Sequence, residues 1–213
     1  MNARVCRGIV PLIFFIMTVS HAETPFDAQL AHIQAQWAIA NYQITSQPQK
    51  LQAFDALSVE AHQFSVENPR RAEPLIWEGI VLSTYAGAKG GLGALSLAKK
   101  SRAVLEAALK IDDKALDGSA YTSLGTLYAK VPRFPLGFGD ADKAQDLLVK
   151  ALTINPYGID PNYFYAQYLC DRHECRDAVR YLQRAIEAQP RPGRELADEG
   201  RHREVMELMA KAR

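Results

Sequence analysis

The chain has 213 residues, 48% of them apolar and 23% charged, values close to the globular average that exclude collagen-like, low-complexity and disordered classes. Its 25 Lys and Arg against 24 Asp and Glu leave a formal charge of +1, so no whole-chain basic field exists for nucleic acid or an anionic membrane. Three cysteines are too few for a disulfide-dense scaffold.

Arg4 and Arg7 give the chain a positive start, and Gly8 to Val19 follows as an apolar run. Ser20-His21-Ala22 then places small residues at the spacing of a cleavage site. A bilayer span needs about 20 apolar residues. Residues 1–22 therefore read as a secretory signal peptide cleaved after Ala22 rather than as an uncleaved anchor. Cys6 precedes the apolar run, the wrong place for a lipid-modified cysteine at the cleavage site. Cleavage leaves 213 − 22 = 191 residues and a charge of 23 − 24 = −1. The expected location is the periplasm, an oxidising space, with no stable membrane span in the mature chain. A core of this size buries roughly 70% of the unfolded surface and needs no staples.

Apolar residues beyond this segment recur at three and four positions, the helical period, with no period-2 run of strand length. The helices expected in chain order are Ala28 to Ile44, Leu51 to Val66, Pro74 to Tyr85 and Leu95 to Ile111, then Ser119 to Lys130, Ala141 to Ile154, Pro161 to Asp171, Cys175 to Ala188 and Glu195 to Ala212. Asn68-Pro69 stops the second, because a proline ring disfavours helix in the residue before it. Helices joined by short loops pack as antiparallel neighbours.

Two helical pairs share a pattern. Tyr121, Leu124, Gly125 and Tyr128 precede Ala144, Leu148, Ala151 and Pro156, the second set spaced four, three, five. That spacing returns in Ala178, Leu182, Ala185 and Pro190, after a helix with Tyr165, Ala166 and Leu169 but Asn162 in place of the first aromatic. A weaker copy joins Leu75, Gly79 and Leu82 to Ser101, Leu105, Ala108 and Asp113. The pattern resembles the tetratricopeptide repeat, a helical hairpin whose Gly or Ala lets its helices approach, and it covers most of residues 70–190. Two stretches, 85–99 and 131–140, are longer than the turns of that family. The wording from Ala120 to Pro192 is similar to a group of exported bacterial tetratricopeptide proteins. A fainter similarity is to the periplasmic tetratricopeptide component of binding-protein-dependent (TRAP-type) transporters, which is lipid-anchored where this chain lacks the lipid cysteine.

The resemblance implies an all-α fold: a right-handed superhelical solenoid of about four hairpins. Its parts would be an N-terminal pair at 23–69, the hairpins of 70–190 with their two inserts, and a capping helix within 191–213. One hairpin cannot bury its own apolar face, so neighbours stack into a curved array. The first helix of each hairpin lines the concave side in this family. That assigns Thr122, Thr126, Lys130, Tyr163 and Gln167 to a groove for a protein or peptide partner; a plain solvated face is the alternative.

The insert 131–140 carries Phe134 and Phe138 between Pro132, Pro135, Gly137 and Gly139. Two aromatics on a stiff loop either recognise something or plug the hydrophobic end of the hairpin. The glycine-rich run from Ala86 to Gly93 fits no phosphate-binding fingerprint and reads as a flexible connector or a lid. Cys170 and Cys175 straddle a turn, where a disulfide closing so short a loop would add roughly 2 kcal/mol; free thiols, or a metal held with His173, are the alternatives. In the tail, Leu196, Val205, Leu208 and Met209 form the expected inner face of the last helix, with Arg194, Arg201, Arg203 and Glu204 facing out.

No nucleophile, base or metal cluster stands out, so neither an enzyme nor a cofactor is expected. Two functions follow. The first is a non-catalytic scaffold holding a partner segment from the cell envelope in the groove. The second is a small-ligand carrier or transport accessory whose pocket is closed by the 85–99 and 131–140 inserts.

Overall fold

The computed structural model describes residues 24–212; the signal segment and its cleavage after Ala22 lie outside the described residues. The described chain is all-α, without a strand. Its helices are α1 (Pro25–Tyr42), α2 (Gln47–Glu67), α3 (Ala72–Lys89), α4 (Gly91–Ile111), α5 (Ala115–Lys130), α6 (Ala141–Ile154), α7 (Ile159–Asp171), α8 (Cys175–Ile186) and α9 (Glu195–Ala212). None of them is long and apolar enough to cross a membrane.

Local chemistry sets several boundaries. Thr24 caps α1 by accepting from the Asp27 amide, with Pro25 in the first turn. Asp140 caps α6 by accepting from the amides of Asp142 and Lys143. The glycine-rich run is not a flexible connector: α3 continues to Lys89 and α4 starts at Gly91, itself at φ 61°, and the chain turns at Gly90. Its φ of 62° is a value glycine adopts without penalty. The reading was misled because glycine disfavours helix by only about 1 kcal/mol per residue, which tertiary packing recovers. Residues Leu116, Asp117 and Gly118 form one left-handed turn, so regular α5 begins at Ser119.

Successive helices form antiparallel pairs. The odd helices form a continuous row, α1 against α3, α3 against α5 and α5 against α7, whereas the even helices touch only their neighbours in sequence. The hairpins close at small residues. A Cβ on Gly125 would lie 2.6 Å from Leu148 Cγ, and one on Gly79 would lie 2.4 Å from Leu105 Cγ. The third pair buries Ala166 and Leu182 completely. Asn162, standing where the repeat has an aromatic, donates to the carbonyls of Pro156 and Gly158 at 2.9 and 2.8 Å and so holds the turn before α7.

The last helix does more than cap. It touches α7 and α8 on one side and α1 on the other, bringing the end of the chain back to its beginning. Gly200 makes this approach possible: a Cβ there would lie 2.4 Å from Cγ of Tyr42. One core cluster joins α3 to α9; the other joins α1, α2 and α3 and takes in Ala197 of α9. Val205 and Met209 are buried, in keeping with an inner face, but Arg201 is only 7% exposed and Arg194 and Glu204 are half-buried. The outward placement of those three is therefore corrected: only Arg203 is exposed. Arg201 and Glu204 lie inward because their charges find partners there; Arg194 lies inward against the Trp77 ring.

Candidate functional site

A cavity of about 590 Å³ lies between the odd row and α9, within the size range of small-molecule sites. α3 contributes Trp77, Ile80, Ser83 and Thr84, and α1 contributes Trp37 and Asn41. From α5 come Ser119, Thr122, Ser123, Thr126, Leu127 and Lys130. Both inserts reach it, the first through Ala86, Gly91, Ala94 and Leu95, the second through Val131, Pro132 and Leu136.

Of the groove residues expected from sequence, Thr122, Thr126 and Lys130 therefore share one wall. Lys130 pairs with Asp171 at the far ends of α5 and α7. Tyr163 and Gln167 do not line the cavity; α7 presents Asp160 and Phe164 instead. Tyr163 is buried under the Arg201 guanidinium, 4.7 Å from its ring centre, and Gln167 donates to the Tyr163 hydroxyl at 3.3 Å. Burial, together with the charge of Glu204, pushes the Tyr163 phenol up to about 12. The register of α7 is thus one residue off the expected groove face.

The two loop aromatics part company. Phe138 packs edge-on against Tyr128 at 5.4 Å with the Arg102 guanidinium 4.4 Å above it, so it plugs the hairpin end. Phe134 is 88% exposed. Cys170 and Cys175 are joined by a disulfide across the turn between α7 and α8, which leaves neither thiol free. Among the described residues no three His, Cys, Asp or Glu converge as metal ligands.

The charged wall was not foreseen. Asp160, at the start of α7, accepts from Arg191 Nη1 at 2.6 Å and from Arg201 Nε at 2.8 Å. Arg191 also pairs with Asp198 at 2.6 Å, and Arg201 pairs with Glu204. Burial opposes ionisation of Asp160, but the guanidiniums of Arg201 and Arg191 outweigh it and hold the carboxyl well below its ordinary value. Burial raises Glu204 despite Arg201 beside it. The available signal was the spacing of Arg194, Asp198, Arg201 and Glu204, which puts four charges on one helical face.

Arg194 stands apart from this network. Among the described residues it forms no ion pair and donates no side-chain hydrogen bond, and its Nε is buried without a partner. Its guanidinium lies 4.9 Å from the centre of the Trp77 ring, whose own Nε1 is buried and unpartnered. Burial first, and then the neighbouring Arg191 cation, push Arg194 down to about 10.

Comparison of the chain with models of known protein families finds no match. Comparison with curated protein sequences finds none either.

Proposed function

We propose that this protein is a non-catalytic, exported binding protein, built from tetratricopeptide-like hairpins in a superhelical succession, that carries a small ligand in the cavity between its odd helices and α9. The observation that carries this reading is the cavity of about 590 Å³ walled by both inserts and by the returning last helix. A peptide groove has to stay open along its length; here α9 meets α1 as well as α7 and α8. Between them the inserts supply apolar wall, including Leu95, Val131 and Leu136, as a pocket for a partly apolar molecule requires.

The two tryptophans of the chain both line this cavity, so their emission reports its occupancy. Titration of the purified protein with small apolar-bodied metabolites is expected to give a saturable change in emission and a higher melting temperature. Ala94→Phe, which puts a ring into the cavity from α4, should abolish both changes while melting no lower than the parent. Unaltered binding in that variant would place the ligand elsewhere.

A second reading, docking of an envelope protein on the 131–140 loop, rests on one observation: Phe134 and Leu136 are 88% and 73% exposed. Loss of a captured partner on Phe134→Ala, with ligand binding intact, would favour it.

A further inference from the structure

Polar and apolar walls of the cavity come from different parts of the chain. Its ionised residues, apart from Lys130, all belong to the start of α7, the connection after α8, and α9. The apolar wall comes mainly from α3, α4, α5 and the 131–140 loop. Consecutive antiparallel turns make α3, α5 and α7 run the same way, and the Lys130–Asp171 pair joins the far ends of the last two. Ser119 and Asp160, at the starts of α5 and α7, therefore mark one end of the cavity. Lys130, Val131 and Leu136 mark the other.

At the charged end every carboxylate is engaged. Asp160, Asp198 and Glu204 are taken by Arg191 and Arg201, and Lys130 at the opposite end is matched by Asp171. Among the described residues Arg194 alone of these cations forms no ion pair and donates no side-chain hydrogen bond, and its Nε is buried and unpartnered. A half-buried guanidinium whose hydrogen bonds are unmade is costly, and burial together with the neighbouring Arg191 depresses its basicity. The cost is relieved when an anion arrives, and a guanidinium presents a planar fork that matches a carboxylate.

We propose that the cavity binds an apolar-tailed monocarboxylate, its head on the Arg194 guanidinium beside Trp77 and its tail along Ile80, Leu95, Leu127, Val131 and Leu136. This rests on the small-ligand reading above. A single carboxylate is specified because a single guanidinium has its donors unmet; three guanidiniums already balance three carboxylates here, so a second charge on the ligand would have no partner. The volume, about 590 Å³, lies within the range of small-molecule sites, enough for a medium-length chain.

The test compares decanoate, decanol and decylammonium, each below its aggregation threshold, by tryptophan emission and calorimetry on the purified protein. Hexanoate, dodecanoate and 3-phenylpropanoate extend the carboxylate series. At least one carboxylate is expected to saturate the protein and to bind at least ten-fold more tightly than the alcohol of the same length, while the ammonium does not bind. Arg194→Met should weaken that carboxylate at least ten-fold and leave the alcohol unchanged. The variant should melt near the parent temperature, since it removes no ion pair and no side-chain hydrogen bond among the described residues; a folded variant keeps the comparison readable. Equal binding of alcohol and carboxylate, or a carboxylate affinity indifferent to Arg194→Met, would overturn the head-group assignment and leave the carrier reading standing. Failure of every compound, alcohol included, would count against the carrier reading itself.

Discussion

Asp160→Ala is expected to destabilise the fold by about 3 kcal/mol, because it strips the buried Arg201 and the half-buried Arg191 guanidiniums of a shared partner. Arg191 and Arg201 both donate to this carboxylate, at 2.6 and 2.8 Å, and Arg201 is only 7% exposed. The loss also loosens the closure of the cavity, since these pairs tie α7 to α9 and to the connection before it. Urea unfolding of the variant measures the effect, and a parental midpoint would show that the network contributes nothing. The same carboxyl sets an acid response. Its folded-state value lies below the ordinary 3.8. The stability it supplies is therefore fully present above about pH 5 and is lost progressively as the pH falls through and below the ordinary value. Asp160→Asn should be less stable near neutrality and should lack this part of the acid dependence.

Gly125→Leu should also cost about 3 kcal/mol, at the upper end of the usual range for overpacking a core. Even a single methyl group at this position would come within 2.6 Å of Leu148 Cγ and 3.2 Å of the Ala144 carbonyl oxygen. Backbone and a fully buried leucine leave no space to yield, so α5 and α6 must separate. Gly87→Ala is the control: nothing lies within 4 Å of a Cβ there, and replacing a helical glycine typically stabilises by about 0.5–1 kcal/mol. Thermal melts that are parental for Gly125→Leu would contradict the register of the hairpin.

The helices were legible because their apolar residues recur at three and four, and the small-against-large pairing of Gly125 with Leu148 was legible from the repeat spacing. The run from Ala86 to Gly93 was not, since glycine composition signals flexibility while the packing of α3 against α4 holds the chain helical up to Gly90. The charged end of the cavity was hidden for a different reason. Amphipathic patterning assigns arginine and glutamate to the outside of a helix, and that rule fails where charges satisfy one another. Arg201 finds its partner in Asp160, 41 residues away, a distance at which no local pattern speaks. Tyr163 was assigned to the groove by the repeat register, yet a phenol with a cation over its ring belongs as readily to a buried layer. Thr122, Thr126 and Lys130 were placed by the repeat register alone, and they share one wall of the cavity.

Everything proposed for the cavity depends on α9 returning to α1, and the contact between Gly200 and the ring of Tyr42 reports that return without altering the protein. In the nuclear magnetic resonance spectrum of the wild-type chain, the Gly200 α-protons should be shifted by the Tyr42 ring current and should show Overhauser peaks to its aromatic protons. Assigned signals for both residues with no such shift and no such peaks would mean that α9 does not return to α1, and that no cavity walled by it exists to hold a ligand.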